Sequence, residues 1–204
     1  MENITKRIFD FIFSFLGLAL LCPFFLIIAI LIKLDSGGPV FFRQERVGKN
    51  GKIFKIFKFR TMVDNAEKKG ISFATPKNDP RITRTGAILR RYKMDELPQL
   101  INVFLGEMSL VGPRPEIATM VELYSNDEKK ILSVKPGITD YASLEFRNEG
   151  DIMEAAKNPY ETYVNEIMPK KLKLNMKYVR EQTLILDFEL IFRTIYKIIA
   201  DTFK

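Results

Sequence analysis

Phe11 to Ile32 is a run of 22 residues without a charge. As a helix it would be roughly 33 Å long at about 1.5 Å per residue, enough for a hydrocarbon core of about 30 Å. It is too long for a signal-peptide core, and no small-residue cleavage site follows it cleanly. A run like this needs shielding from water, either by a bilayer or by burial as the core helix of a domain. Pro23, directly after Cys22, falls at its middle and would interrupt a helical ladder there. Cations flank both ends: Lys6 and Arg7 before it, Lys33, Arg43 and Arg46 after it. A spanning helix would carry one of these clusters across the membrane. A helix that enters, breaks at Cys22-Pro23 and returns keeps both in the cytoplasm, each arm reaching roughly 16 Å, about half the bilayer. Charge symmetry and the central proline favour this re-entrant arrangement over spanning. The backbone groups freed at the break would need a partner, and Asp10 would sit among headgroups or pair with a cation.

The 204 residues suffice for one domain with a real core, perceived here as residues 37–204 behind a membrane segment at 1–36. The net charge of +7 favours anionic partners such as nucleotides or phospholipid surfaces. The cations form no long run, so no nucleic acid is expected. There is no histidine, which removes the usual general base and the commonest metal ligand. The single cysteine, Cys22, excludes a disulfide framework or a cysteine zinc site within one chain. Chemistry must then come from carboxylates, lysines, arginines and hydroxyls, with Mg²⁺ the natural cation because it prefers carboxylate and phosphate oxygens.

The most chemically pointed stretch is Lys93-Met94-Asp95-Glu96-Leu97-Pro98-Gln99-Leu100. Proline is tolerated only in a first helical turn, so Asp95 is predicted to be an N-cap for a helix running through Leu105 to Gly106, where the dipole favours negative charge or a phosphate. An ordinary capping box reads the same way. Arg84, Arg90, Arg91 and Lys93 precede the pair and Arg114 follows it. Prolines on both sides of Arg114 restrict its backbone, and a pre-set guanidinium can clamp phosphate oxygens in pairs.

Pro39 to Arg60 reads as a hairpin turning at Gly48-Lys49-Asn50-Gly51. Alternation puts Lys58 and Arg60 on one face, suited to a phosphate or simply to solvent. Thr61 to Arg84 reads as a loop with a short helix near 63–69, and Thr85 to Arg91 as a short helix. Ile117 to Val134 reads as helix, ended by the turn Lys135-Pro136-Gly137-Ile138-Thr139. Thr183 to Phe203 is amphipathic, with a stripe at Leu184, Phe188, Ile191, Ile195 and Ile198 that suits either a core or the membrane interface. The fold class expected is α+β and mostly helical: a membrane helix-break-helix, a small hairpin and amphipathic interfacial helices around a compact cytoplasmic domain.

Several of these motifs, in this order, resemble one family over nearly the whole chain. They include Lys6-Arg7-Ile8-Phe9-Asp10, the apolar run broken at Pro23, Gly38-Pro39-Val40-Phe41-Phe42-Arg43-Gln44-Glu45-Arg46-Val47-Gly48 and Phe57-Lys58-Phe59-Arg60-Thr61-Met62. Asp95-Glu96-Leu97-Pro98-Gln99-Leu100, Val111-Gly112-Pro113-Arg114-Pro115 and Lys135-Pro136-Gly137-Ile138-Thr139 continue the series. The pattern is similar to the bacterial sugar transferases, the small monotopic phosphoglycosyl transferases. The resemblance implies an enzyme on the cytoplasmic face of the bacterial inner membrane. Such enzymes move a sugar 1-phosphate from a UDP-sugar to polyprenol (undecaprenyl) phosphate with Mg²⁺, through a phospho-sugar held covalently on the Asp of the pair. UMP is released, and surface-glycan assembly begins.

By that resemblance Asp95 is the nucleophile, Asp95 and Glu96 hold the metal or position the site, Lys58, Arg90 and Arg114 grip phosphates, and Arg147 contacts the nucleotide. The partners implied are the donor, the lipid acceptor and membrane phospholipid, with a homodimer left open. Two departures stand out. Many relatives carry Ser-Pro where this chain has Cys22-Pro23, and a thiol is the weaker hydrogen-bonding group. Between Asp140 and Arg147 only Ala142 and Arg147 match the family pattern. Two other classes are compatible with parts of the sequence: a membrane glycosyltransferase that releases UDP, and a basic membrane adaptor without catalysis.

Overall fold

The computed structural model describes residues 4–66, 79–146 and 149–202. The described chain is mostly helical, with two small two-stranded sheets and one long apolar helix at its start. That helix, α1 (Ile4–Asp35), continues through Cys22-Pro23 without an interruption of its helical assignment, where the sequence had suggested a break. A proline withholds only one ladder donor, and the turns on either side can keep their own bonds.

The apolar run of α1 is not a core helix. Its most apolar window has a mean hydropathy of 3.0 and is 11% buried, long and apolar enough to cross a membrane. A narrow stripe, Phe9, Asp10, Ser14, Ile28 and Ile32, is buried at helical spacing. Phe11, Phe15, Leu20, Leu26 and Ile30 remain exposed. Both ends of α1 are fastened to the rest of the protein by polar bonds. At the start, Lys6 Nζ donates to Asp187 Oδ2 at 2.6 Å and to the Val111 carbonyl at 3.1 Å. Arg7 donates to the Val103 and Phe104 carbonyls at 2.7 and 2.8 Å. Near the end, the Asp35 carboxylate accepts the Thr85 N–H at 2.7 Å. Ile28 and Ile32 pack there with Phe59 and Leu89.

The hairpin forms as read. β1 (Phe41–Val47) pairs antiparallel with β2 (Ile53–Phe59), from Phe41 opposite Phe59 to Val47 opposite Ile53. Its turn places Asn50 and Gly51 at positive φ, the conformation that short polar and glycine residues accept most easily. Arg60 does not join Lys58 at a phosphate site. Its guanidinium donates to the Ser36 carbonyl at 2.8 Å and to the Gly37 carbonyl, tying the chain as it leaves α1. Strand alternation fixes only which face a side chain leaves from; the chain turning back from α1 captures this one.

α2 (Arg84–Arg91) is capped by Thr83, whose hydroxyl accepts the Gly86 N–H. α3 (Gln99–Leu105) packs along α1 and under β2, where Phe54 and Ile56 are buried against Val103 and Met108. Asn102, fully buried, joins α3 to the sheet. Its Oδ1 accepts the Phe57 N–H at 2.8 Å, and its Nδ2 donates to the Lys55 carbonyl and to Glu107 Oε2. Gly106 ends α3 at φ 84°, and a side chain there would also press on the Arg7 guanidinium that caps the helix.

A second sheet pairs β3 (Ser109–Val111) in parallel with β4 (Gly137–Thr139). The segment between them is not the helix expected over 117–134. It holds α4 (Ala118–Val121) and a 3-10 turn, Glu128–Ser133. Ser125 and Glu128 explain the division: each side chain bonds the other's backbone N–H, a capping box that starts a new turn in mid-segment. Of the short helix expected near 63–69, residues 67–69 lie outside the described residues, and Asp64 to Ala66 form a turn. Short helices α5 (Tyr141–Glu145), α6 (Glu149–Ala155) and α7 (Pro159–Thr162) follow. A π-helical turn, Tyr163–Ile167, then leads into α8 (Met168–Glu181).

α9 (Leu184–Thr202) has the extent expected, and its apolar stripe is divided: Leu184, Ile191 and Ile198 are half-buried, with Ile191 packed on the Val111, Tyr178 and Leu190 core, while Phe188 and Ile195 are exposed. Asp187 and Leu190 are buried, whereas Ile185, Phe188, Phe192, Ile195 and Ile199 are exposed. Phe188 meets Phe9 of α1 with ring centroids 4.9 Å apart. The exposed apolar surfaces of α1 and α9 thus adjoin.

Asn102→Ala is expected to destabilise the protein by about 3 kcal/mol, because it strands the Phe57 N–H and the Lys55 carbonyl in a dry site. The thermal unfolding midpoint of the detergent-solubilised protein measures this. A midpoint unchanged from wild type would remove Asn102 from the α3–β2 junction's support.

Candidate active site

The connection from α2 to α3 brings the two carboxylates forward. Lys93 adopts a left-handed conformation at φ 56° and ends the α2 segment, and Met94–Glu96 then form a 3-10 turn. Pro98 stands at the boundary of α3 with no side-chain cap. Asp95 is therefore not the N-cap predicted from sequence. Pro98 has no N–H to offer, and the turn before it satisfies the chain through Leu97 N–H to the Met94 carbonyl at 3.2 Å.

The adjacent carboxylates have opposite surroundings. Glu96 is clamped: Lys58 Nζ donates to Oε1 at 2.7 Å, and Arg114 donates to Oε2 at 3.1 Å and to Oε1 at 2.5 Å. This is the paired geometry that suits guanidinium and carboxylate. Burial works against ionisation of Glu96, but Arg114 and then Lys58 hold its carboxyl well below the ordinary range. Among the described residues, Asp95 has neither a hydrogen-bond partner nor an ion pair within 4 Å. Burial first, and the negative charge of Glu96 second, push its carboxyl above the ordinary value of 3.8, with Lys58, Lys93 and Arg90 opposing. One carboxylate is a fixed counter-ion, and the other is a more basic carboxylate without a hydrogen-bonding partner among the described residues.

Each cation is held from elsewhere. Burial lowers the pKa of Lys58, and Glu96 opposes this. Arg114 lies between Pro113 and Pro115, with its own N–H donating to Asp140 Oδ2 at 3.2 Å. The Glu96 charge keeps its guanidinium protonated beyond its usual range. Arg90 donates from Nε to the Thr61 hydroxyl at 2.9 Å and lies within the electrostatic reach of Asp95. The structure thus gathers Lys58, Arg90, Asp95, Glu96 and Arg114. Cys22 and Pro23 are exposed on α1. Arg147 lies outside the described residues.

Two supports were missed from sequence. Asp140, fully buried, caps α5 through the Ser143 N–H at 2.6 Å while holding the Arg114 backbone. Its position before Tyr141-Ala142-Ser143 could have signalled a cap. Glu116 accepts the Tyr163 hydroxyl at 2.7 Å and lies 3.7 Å from Lys171 and 3.9 Å from Arg46. Its backbone carbonyl accepts the Val47 N–H at 2.9 Å. No periodic or motif signal marks that network, whose partners come from β1, the π-helical turn and α8.

Glu96 and Arg114 open on a groove of about 480 Å³. Its remaining wall is largely apolar, with Phe13 from α1, Leu100 from α3, Phe146 after α5 and Ile195 from α9. Among the described residues no group of three or more His, Cys, Asp or Glu side chains could cage a metal ion. Both Glu96 oxygens face cations, so Asp95 is the carboxylate of the pair left open to one. A single carboxylate suits Mg²⁺ when substrate phosphates and water complete its shell.

Comparison with known proteins places this geometry in context. A family model described as bacterial sugar transferase matches residues 1–201. The exopolysaccharide production protein PSS of Rhizobium leguminosarum is 40% identical over 203 residues, covering 96% of this chain and 95% of that protein. The UDP-glucose:undecaprenyl-phosphate glucose-1-phosphate transferase of Escherichia coli is 38% identical over 201 residues, 97% of this chain and 40% of its own length. An Aeromonas hydrophila protein named for transfer of N-acetylgalactosamine phosphate to undecaprenyl phosphate is 36% identical over 198 residues, again with 44% of its length covered. The chain therefore spans less than half of these last two relatives.

Glu96→Gln removes the charge that helps raise Asp95 and releases Lys58 and Arg114 from it. The Asp95 carboxyl is then expected to titrate at lower pH than in wild type, by carbon NMR of aspartate-labelled protein. An equal or higher value would mean that burial alone sets it.

Proposed function

The chain belongs to the bacterial sugar transferase family, and from that membership we propose that it is a phosphoglycosyl transferase using a UDP-sugar and undecaprenyl phosphate. The observation that carries this reading is the pairing of an unengaged Asp95 with a cation-clamped Glu96, the latter lining with Arg114 a largely apolar groove. A charged centre suits the donor diphosphate, and the groove suits the isoprenoid chain of the acceptor.

In the first step an Asp95 oxygen attacks the phosphorus that carries the sugar. The bond from that phosphorus to the bridging oxygen breaks, and UMP leaves with the electron pair. The product is an aspartyl phospho-sugar. In the second step a phosphate oxygen of the lipid attacks the same phosphorus and Asp95 leaves as carboxylate, giving the polyprenol diphosphate sugar. Neither step needs a histidine base, since both nucleophiles are already ionised near neutral pH. Arg114, Lys58 and Arg90 offset the charge that develops on the phosphoryl oxygens. Asp95 and the donor phosphates would hold Mg²⁺, which supplies further charge neutralisation when bound.

The attachment of both ends of α1 to one body of protein supports a re-entrant placement, with that body on the cytoplasmic face. A crossing helix would take either Lys6 or Asp35 away from its partner. The exposed apolar face of α9, adjoining α1, supports its lying in the interface.

Purified protein in nanodiscs, supplied with Mg²⁺, undecaprenyl phosphate and a panel of UDP-sugars, is expected to release UMP from one donor. Asp95→Asn should reduce turnover by at least about a thousandfold, the scale on which loss of a nucleophile acts, and intact mass should show a sugar-phosphate adduct only with Asp95 present. Because burial and Glu96 raise the Asp95 carboxyl, activity should fall with acid at a pH above 3.8. Release of UDP instead would favour simple glycosyl transfer.

For topology, tags at both termini are expected to be accessible from the cytoplasm alone. Labelling of the N-terminus from the periplasm would falsify the re-entrant placement.

A further inference from the structure

A second cavity, of about 440 Å³, lies at the root of α1. It is formed by the first turns of α1, the tip of the β1–β2 hairpin, the segment before β4 and the start of α9. It shares no lining residue with the groove that holds Glu96 and Arg114. Four cations line it, Lys6, Arg7, Lys49 and Lys135, against one carboxylate, Asp10.

Among the described residues, the negative charges nearby are already engaged. Asp10, fully buried, accepts the Ser109 hydroxyl at 3.1 Å and the Leu110 N–H at 3.0 Å. Asp187, behind the cavity, neutralises Lys6 and accepts the Tyr178 hydroxyl at 2.7 Å. Arg7 bonds two carbonyls, which orient it without cancelling its charge. Lys49 meets no carboxylate among the described residues. Arg7 and Lys49 thus give the cavity a positive charge that an anion would relieve.

Its surroundings identify the kind of anion. Ile4 and Ile8 on α1 and Ile185 on α9 are 75%, 54% and 82% exposed beside it. The uncharged run of α1 begins one residue after Asp10. This is the depth at which a helix passes from headgroups to acyl chains. Inorganic phosphate would answer the cations but leave the apolar rim bare. A lipid phosphate would answer both, with its chains lying on the exposed faces of α1 and α9.

We propose that this cavity binds the phosphodiester headgroup of an anionic phospholipid, held by Lys49 and Arg7, with Lys135 on the same wall adding to the field. Basic pockets at the cytoplasmic side of membrane helices recognise lipid headgroups in this way. The site is separate from the proposed chemistry and does not depend on it. A ligand there bridges α1, the hairpin tip and α9, and so stabilises the folded protein by mass action.

The test is the thermal unfolding midpoint of the full chain in neutral detergent, titrated with phosphatidylglycerol, phosphatidylcholine, inorganic phosphate or undecaprenyl phosphate. Phosphatidylglycerol is expected to raise the midpoint saturably, and phosphatidylcholine is not. In Lys49→Gln/Lys135→Gln the apparent affinity for phosphatidylglycerol should fall about 30-fold, and in Lys49→Gln alone about fivefold, as expected for about one such increment per lysine. Lys170→Gln/Lys173→Gln, on the exposed side of α8, should leave it unchanged; an equal loss there would mean a diffuse charge effect. An equal shift with phosphatidylcholine, or full affinity in both Lys49 variants, would overturn the site. The whole shift from inorganic phosphate would make it a free-anion site instead. Tighter protection by undecaprenyl phosphate, lost in the double variant, would reassign it to the acceptor.

Discussion

Asp187 is a charge placed where water cannot reach it, and four parts of the chain converge to make that tolerable. Lys6 comes from α1 and Tyr178 from α8; both also bond the Val111 carbonyl of β3, and Asp187 itself belongs to α9. A buried carboxylate with one partner removed is costly, so such a knot holds its members in one arrangement rather than several. It sets where the apolar helix meets the rest of the protein. Through β3 it also sets the strand from which Gly112, Pro113 and Arg114 emerge. A Cβ on Gly137 would overlap the Gly112 backbone, so the approach of β4 that completes this arrangement requires glycine at that point.

The active-site geometry divides labour between neighbours in sequence. Glu96 serves Lys58 and Arg114 as a permanent counter-ion, and that service keeps two cations close together without a ligand. Asp95 is excluded from the same clamp and is left basic and open. In a chain without histidine, fixed charges arranged around a carboxylate can set its basicity without any proton being removed from it.

The sequence made the hairpin, the extent of α9 and the identity of the central charged residues legible, because each rests on local pattern: turn residues, helical spacing, or a proline beside a carboxylate pair. Lys58, Arg90 and Arg114 stand out in the sequence and do gather around Asp95 and Glu96, yet Arg60 looked equivalent to Lys58 and lies elsewhere. The difference arises from carbonyls left free where α1 ends, which no strand pattern encodes. The pairing of β3 with β4 was illegible for a similar reason: three-residue strands carry little periodicity, and their partners lie far apart in sequence. The capping box at Ser125 and Glu128 was present in the letters but hidden inside a run that otherwise reads as helix. Which members of the α9 stripe pack inward and which stay exposed depended on the neighbours that cover them, a matter of tertiary packing alone.

The attachment of α1 also bears on the order in which the molecule can be made. Lys6 and Asp187 are 181 residues apart. Synthesis delivers α1 before α9, with its apolar surface already complete and its counter-ion not yet translated. Until α9 leaves the ribosome, the apolar helix cannot be locked to the rest of its own chain. Folding is therefore completed by a closing event between α1 and α9, and a nascent chain cut short before α9 would be left with an unfinished attachment.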